Sequence, residues 1–223
     1  MMKGAVFDID GTILDSIPIW DKAVKSFLNG LGIEAEPGLN KTTFSSMSMA
    51  EWVKFLKNRY GLALGTDEIA AGINRIVEGL YCSQVRLKDG VEQFLKDMKQ
   101  AGIKITAATS SGRHIVEEAL RRLNAMNYFD RIFTCNEIGA GKTKPDIYLA
   151  AAGYMGTTPE DTWVFEDALY AIRTAKNAGF RTVGVYDPFN IEDMEEIKSI
   201  CDIYLNKLDD FYGLVEKINR SQI

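Results

Sequence analysis

The sequence predicts an α/β fold: a Rossmann-like, mostly parallel sheet with helices on both faces, plus an inserted all-helical unit. Three observations carry that prediction. From about residue 85 onward, short apolar runs alternate with amphipathic segments of helical length, the pattern of βαβ crossovers covering both faces of a sheet. Between about 15 and 84 only helical periodicity is present. An opening apolar run, Ala5-Val6-Phe7, precedes the helical stretch with no crossover helix of its own. It therefore belongs to the sheet, and the expected division is 1–14 with 85–223 as the α/β core and 15–84 as the helical insertion.

In the insertion, Ile19, Trp20, Ala23, Val24, Phe27, Leu28 and Leu31 recur at the three-and-four spacing of one helix face, and Gly32 is placed to end that helix. Ser48 and Glu51 have the spacing of a capping box ahead of Trp52, Phe55, Leu56 and Tyr60. Ile69, Ile73, Ile76, Val77 and Leu80 mark a third stripe. In the core, Val91, Phe94, Leu95 and Met98 predict a helix, followed by a strand over 103–108. Ile115, Ala119, Leu120 and Leu123 predict the next helix, with a strand at 131–134 and a helix at 145–152. Trp163-Val164-Phe165 reads as a buried strand, then a helix runs through Ala168, Ile172 and Ala175. The last strands are expected at 182–186 and 203–205.

Charge and composition narrow the function. Lys and Arg number 26 against 31 Asp and Glu, a net charge of −5. No basic stripe exists to neutralise a phosphate backbone, so nucleic acid is not an expected partner. No run reaches the ~18 apolar residues of a membrane span, and the N-terminal apolar run is too short for a signal peptide. The three cysteines, Cys82, Cys135 and Cys201, form no C-x-x-C pair, which fits free thiols in a reducing compartment. A soluble, cytoplasmic protein is expected.

Ligands of open parallel sheets sit beyond the carboxyl ends of the strands. Here the first strand runs into Asp8-Ile9-Asp10-Gly11-Thr12, the second into Thr109-Ser110-Ser111, and the Trp163 strand into Glu166-Asp167. If the first strand stays extended, alternation puts Asp8 and Asp10 on one side. Two such carboxylates repel unless a cation separates them; a hard divalent ion, with Asp167 completing the set, is the economical answer. Simpler roles exist for each group. Asp8 and Asp10 could shape a turn before Gly11, the hydroxyls at 109–111 could cap the helix that follows, and Glu166-Asp167 could suit the first turn of the next one.

Two other signals are set aside. Gly139-Ala140-Gly141-Lys142-Thr143 imitates a phosphate-binding P-loop, but Asn136 stands where that motif needs its first glycine. A Ser-His-Asp triad is excluded as a reading because the single histidine, His114, sits at an exposed helix start, and no Cys/His cluster offers a zinc site.

Taken together, Asp8-x-Asp10-Gly11-Thr12, Thr109, Gly141-Lys142-x-x-Pro145-Asp146 and Phe165-Glu166-Asp167 resemble the motifs of the haloacid dehalogenase-like superfamily. The similarity is to the helical-cap branch of small phosphatases and β-phosphoglucomutase-type enzymes, and it covers nearly the whole chain. The resemblance implies that Asp8 is a nucleophile forming an aspartyl-phosphate and that Asp10 is the general acid and base. It implies that Thr109, helped by the Ser110 amide, holds the phosphoryl oxygens, and that Lys142 screens Asp8 from the phosphate. Asp8, the Asp10 carbonyl and Asp167 would bind Mg²⁺, with Glu166 in support. Residues 15–84 become the cap.

The chain departs from the branch in places. Lys142-Thr143-Lys144-Pro145 stands where K-P-x-P is common, which leaves Lys144 as a second candidate for the site lysine. Trp20 occupies the position of a cap histidine found in the mutases, and Ser45-Ser46-Met47-Ser48 stands near where a G-x-S-R loop would be. The opening of the cap, Ile17-Pro18-Ile19-Trp20, is mostly apolar. The second aspartate, Asp10, argues against dehalogenase chemistry. The expectation is a Mg²⁺-dependent phosphatase of a small phosphorylated metabolite, a sugar phosphate for example. A sugar-phosphate mutase and a catalytically idle binding protein are the alternatives.

Overall fold

A computed structural model describes residues 2–36 and 49–220. The chain divides into two compact units, Met1–Asp15 with Arg86–Ile223, and Ser16–Val85.

The first unit is built on six strands: β1 (Gly4–Phe7), β2 (Lys104–Thr109), β3 (Arg131–Thr134), β4 (Thr162–Glu166), β5 (Arg181–Val185) and β6 (Ile203–Leu205). They form one sheet in the order β3-β2-β1-β4-β5-β6, and every neighbouring pair is parallel. This is the doubly wound order, with the chain reversing direction across the sheet at β1. The register aligns Phe7 with Ala107 on one side and Phe165 on the other.

Alternation along the central strands assigns the two faces. Phe7 stacks on Phe165 with ring centroids 4.2 Å apart, and Phe94 meets both edge-on. Phe94 lies on the helix Val91–Gln100 and meets Phe211 of the helix Phe211–Arg220 at 5.9 Å. Val6 and Val164 point the other way, into a cluster with Ile147, Tyr148 and Ala151 of the helix Asp146–Met155 and Ala175 of the helix Leu169–Asn177. Helices thus cover both faces of a sheet whose strands are buried along most of their length.

The remaining helices of this unit are Arg113–Arg122, the single turn Cys135–Ile138, and Met194–Ile200. Three helices were not anticipated from periodicity: Cys135–Ile138, Met194–Ile200 and Phe211–Arg220. The first two are short, and Met194–Ile200 buries only Ile197. Tyr186 falls just outside β5, where its amide still bonds Leu205 O at 2.9 Å.

The second unit contains α1 (Ile17–Gly30), α2 (Met49–Tyr60) and α3 (Thr66–Gln84), and no strand among its described residues. On α1, Ile19, Ala23, Val24 and Leu28 are buried, whereas Leu31 is 43% exposed because it lies past the last helical residue. Trp52, Val53 and Leu56 are the buried face of α2. On α3 the buried stripe is Ile69, Ile73, Val77 and Tyr81, with Ile76 and Leu80 half-buried beside it. Gly72 admits the Phe27 ring against the α3 backbone, in space that a Cβ would fill. The expected capping box at Ser48 and Glu51, and the 45–48 segment, lie outside the described residues or side chains. No described helix is long and apolar enough to cross a membrane.

Candidate active site

The pleat that puts Val6 and Val164 on one face sends the next residues of that parity, Asp8 and Glu166, to the same side. Asp8 N donates to Phe165 O at 2.9 Å, holding the end of β1 against β4. Lys142 reaches this edge from the segment between the Cys135–Ile138 turn and the helix Asp146–Met155. Its ammonium bonds Asp8 Oδ1 and also donates to Glu166 Oε1 at 2.6 Å. Tyr148, buried on that helix, donates its hydroxyl to the same Glu166 oxygen at 3.2 Å. Glu166 Oε2 accepts from the amides of Asp167 (3.2 Å) and Ala168 (3.3 Å). Lys142 is therefore the lysine at this edge; Lys144 is exposed.

The electrostatics follow from burial. Burial is the main reason the Asp8 carboxyl is pushed up to about 8, against the pull of Lys142 and with added repulsion from Glu166 and Asp10. Burial works against the Lys142 charge too, but Asp8 and Glu166 outweigh it and hold the ammonium well above its ordinary value. Asp167 is raised well above the usual carboxylate range, first by burial and then by Asp8 and Glu166. Lys142 thus pairs with two of three buried carboxyl groups, and the pull on the third, Asp167, comes from Lys88.

Asp167 is held by both oxygens. Thr12 Oγ1 donates to Oδ1 at 3.1 Å, and Asn190 Nδ2 donates to Oδ2 at 2.7 Å. Gly11, at φ +87°, lies so close that a Cβ there would strike the Asp167 carboxylate, which is why the turn after β1 carries glycine.

The strand does not stay extended as far as Asp10, although Asp10 remains close enough for its charge to raise the Asp8 carboxyl. β1 ends at Phe7 and the chain turns, with Ile13 N and Leu14 N both bonding Ile9 O. The Asp10 carboxylate instead accepts from Ser111 Oγ at 2.7 Å and, more weakly, from Thr109 Oγ1 at 3.5 Å. The hydroxyls after β2 stand just before the helix Arg113–Arg122. Its N-cap is Gly112 with no side-chain bond, and the Thr109 hydroxyl accepts from Ser111 N at 3.0 Å. Thr109 is buried, and exposed Ser110 places its Oγ 3.5 Å from Cys135 Sγ. Glu166 and Asp167 also precede the next helix rather than forming its first turn, which begins at Leu169.

Asp8, Glu166 and Asp167 each offer a carboxylate oxygen within 4.8 Å of the others. Asp8 Oδ2 is buried with no hydrogen-bond partner. An all-oxygen donor set with excess negative charge and an orphaned carboxylate oxygen fits a hard divalent cation. The edge can therefore hold a cation beside one ammonium and a pair of hydroxyls, an arrangement suited to a phosphoryl group.

Sequence reasoning did not single out Tyr148, Asn190 or the Lys88–Asp187 pair, and gave Ser111 no partner. A buried tyrosine demands a hydrogen-bond partner, a signal for Tyr148. Asn190 lies just beyond the end of β5, where a site residue is expected.

A family model described as haloacid dehalogenase-like hydrolase matches residues 2–179. A phosphorylated carbohydrates phosphatase of Thermotoga maritima is 26% identical over 190 residues, 85% of this chain and 88% of its own length. The crystal structure of CbbY from Rhodobacter sphaeroides in complex with phosphate superposes with a TM-score of 0.80 at 22% identity, covering 95% of this chain and 97% of that one. The β-phosphoglucomutase of Clostridium difficile gives a TM-score of 0.75 at 22% identity, covering 99% and 98%.

Proposed function

The chain belongs to the haloacid dehalogenase-like hydrolase family, and from that premise we propose that it is a Mg²⁺-dependent phosphatase acting on a small phosphorylated metabolite, such as a sugar phosphate, through an aspartyl-phosphate. The observation that carries this reading is the inequality of the two Asp8 oxygens. One is engaged by the Lys142 ammonium, and the other is buried without a partner. A carboxylate held at one oxygen and unsatisfied at the other is poised to take a metal or an electrophile there.

In this reading Asp8 attacks phosphorus and the ester P–O bond breaks, while Asp10 gives its proton to the leaving oxygen. Asp10 then takes a proton from water, whose oxygen attacks the aspartyl-phosphate and releases phosphate, restoring Asp8. Thr109 and the Ser110 amide hold the phosphoryl oxygens. Lys142 offsets the repulsion between Asp8 and an incoming dianion. Mg²⁺, when held by Asp8, Asp167 and the Asp10 carbonyl with Glu166 in support, would supply further charge neutralisation on the phosphoryl oxygens. We read the helical unit as the cap of this branch and place the enzyme in the cytoplasm, which suits the thiols Cys82, Cys135 and Cys201. The name of the Thermotoga relative supports a phosphorylated carbohydrate as substrate.

The test is phosphate release from an aryl phosphate and from a panel of sugar phosphates, with Mg²⁺ and with chelator. Metal-dependent turnover that disappears in Asp8→Asn is expected. The amide is nearly isosteric, and since burial already disfavours the Asp8 charge, the folded state should not suffer. Residual turnover above a few per cent of the parent rate in the pure variant would rule out covalent catalysis by Asp8.

A further inference from the structure

The hold on Asp167 extends well beyond the motif residues. Asn190 closes a short turn, Pro188–Asn190, whose N-cap Asp187 accepts from Phe189 N at 2.8 Å through its side chain. The Asn190 amide donates to Asp187 O at 3.1 Å, closing the turn a second time. Asp187 is itself buried and paired with Lys88, Nζ to Oδ2 2.7 Å, and the same ammonium donates to Tyr186 O at 3.0 Å. Lys88 is fixed by its backbone, since its amide bonds Ile13 O at 2.9 Å. Ile13 follows Thr12, whose hydroxyl is the other donor to Asp167. Two routes from one paired segment thus converge on one carboxylate: Thr12 directly, and Lys88 through Asp187 and Asn190.

The structure assigns Asn190 the role of a positioning residue: its side-chain amide, aimed by the Lys88–Asp187 pair, fixes the orientation of Asp167 within the divalent-cation site. The assignment rests on the metal reading above and adds to it a residue outside every matched motif. The physical case is geometric. A carboxylate held only by Thr12 at Oδ1 can still turn about its Cβ–Cγ bond. A second donor at Oδ2, on the opposite side, removes that freedom and sets which lone pairs face Asp8 and Glu166. Donors of this kind orient metal ligands, and their loss commonly weakens metal binding by about 10–100-fold. The Lys88–Asp187 pair serves that end because the buried Asp187 carboxylate is held by two bonds, from Lys88 and from Phe189 N. The Asn190 amide is therefore delivered from a fixed base.

The experiment compares parent, Asn190→Leu and Asn190→Ser by calorimetric titration of the metal-free proteins with Mg²⁺, alongside thermal unfolding and kcat measured across Mg²⁺ concentration. Leucine keeps the bulk and removes the donor; serine cannot span the distance. Expected is a weakening of Mg²⁺ affinity of about tenfold or more in both variants, with melting temperatures near the parent's and kcat largely recovered at saturating Mg²⁺. A Kd within twofold of the parent in both variants overturns the assignment. So does a parallel loss of melting temperature and affinity in both, which would make Asn190 a structural residue only. Failure of the parent itself to bind Mg²⁺ would sink the metal reading and this inference with it; parent binding with unchanged variants sinks the inference alone.

Discussion

Lys142 and Glu166 form an ion pair of 2.6 Å in which the two side chains are only 3% and 1% exposed. The pair is not self-contained, because Asp8 takes a second bond from the same ammonium. Removing the cation would leave two buried carboxylates close together, with Asp167 nearby. Breaking a buried pair from one side typically costs about 3–5 kcal/mol, and loss of one preorganised charge at a reacting oxyanion costs about 10²–10³-fold in rate.

Lys142→Ala should therefore lower kcat by about 10²-fold or more and lower the melting temperature of the metal-free protein. Lys144→Ala, at an exposed position, should leave both near the parent values. Steady-state kinetics and thermal unfolding of the two variants decide the matter. The reverse order would move the role to Lys144.

Ser111 donates to Asp10 Oδ2 at 2.7 Å, so it sets the direction of the group we assign to proton transfer. Ser111→Ala removes this donor and leaves the longer Thr109 bond to the same oxygen. General acid–base catalysis contributes about 10²–10⁴-fold, and a loss of roughly one order of magnitude in kcat with little change in KM is expected. Ser111→Thr, which keeps the hydroxyl, should restore most of it. A change in KM alone would place Ser111 in substrate binding instead.

Asp202 supplies a prediction independent of the active site. Its Oδ2 accepts from Thr182 N (2.8 Å) and Thr182 Oγ1 (3.0 Å), and its Oδ1 pairs with Lys176 at 2.7 Å, tying β6 to β5. Burial disfavours the charge, but the Lys176 and Thr182 bonds more than offset it and hold the carboxyl below its usual range. A depressed folded value means that the stabilisation is present above the unfolded pKa, about 3.9, and is lost as pH falls through the folded value. Asp202→Asn should thus destabilise by about 1–2 kcal/mol at neutral pH. The gap should narrow in acid, as pH falls below the unfolded pKa and through the lower folded value. Urea unfolding of both proteins at pH 7 and pH 3 measures it, and a gap independent of pH would show that charge is not the cause.

Much of this could be read from the sequence because a parallel sheet writes its site at one edge. Short continuous apolar runs made Ala5-Val6-Phe7 and Trp163-Val164-Phe165 visible as strands, and the residues after them, Asp8, Asp10, Glu166 and Asp167, fell at the same edge. Spacing before Pro145-Asp146 favoured Lys142 but left Lys144 open, and it is burial and the bonds to Asp8 and Glu166 that set Lys142 apart. Hydroxyls before a helix look like caps, yet Gly112 is the N-cap and the Ser111 hydroxyl turns to Asp10. Asn190 and the Lys88–Asp187 pair depend on contacts between residues 23 and 99 positions apart, which no local pattern encodes. Phe211, Leu214 and Ile218 carry helical spacing and are buried; that signal was present in the chain and was passed over.

Whether water or a sugar hydroxyl attacks the aspartyl-phosphate separates a phosphatase from a mutase, and both would use Asp8 and Asp10 alike. A mutase must keep the intermediate from water and hold a bisphosphate intermediate by its far phosphate, which calls for a cation able to form charge-assisted bonds. In the helical unit Arg59 pairs with Glu36, Nη2 to Oε2 2.9 Å, and its side chain is 52% exposed. Arg75 is exposed on α3. Neither is buried or preorganised for a phosphate, and Arg59 would have to leave its carboxylate first. The prediction is steady release of inorganic phosphate from sugar monophosphates. No interconversion of hexose 1- and 6-phosphates is expected, even after priming with a hexose bisphosphate. Phosphorus NMR of the reaction mixture reads both products at once. Rapid interconversion with little free phosphate would assign the chain to the mutases while leaving the covalent role of Asp8 intact, because the same intermediate would then be captured by a sugar rather than by water.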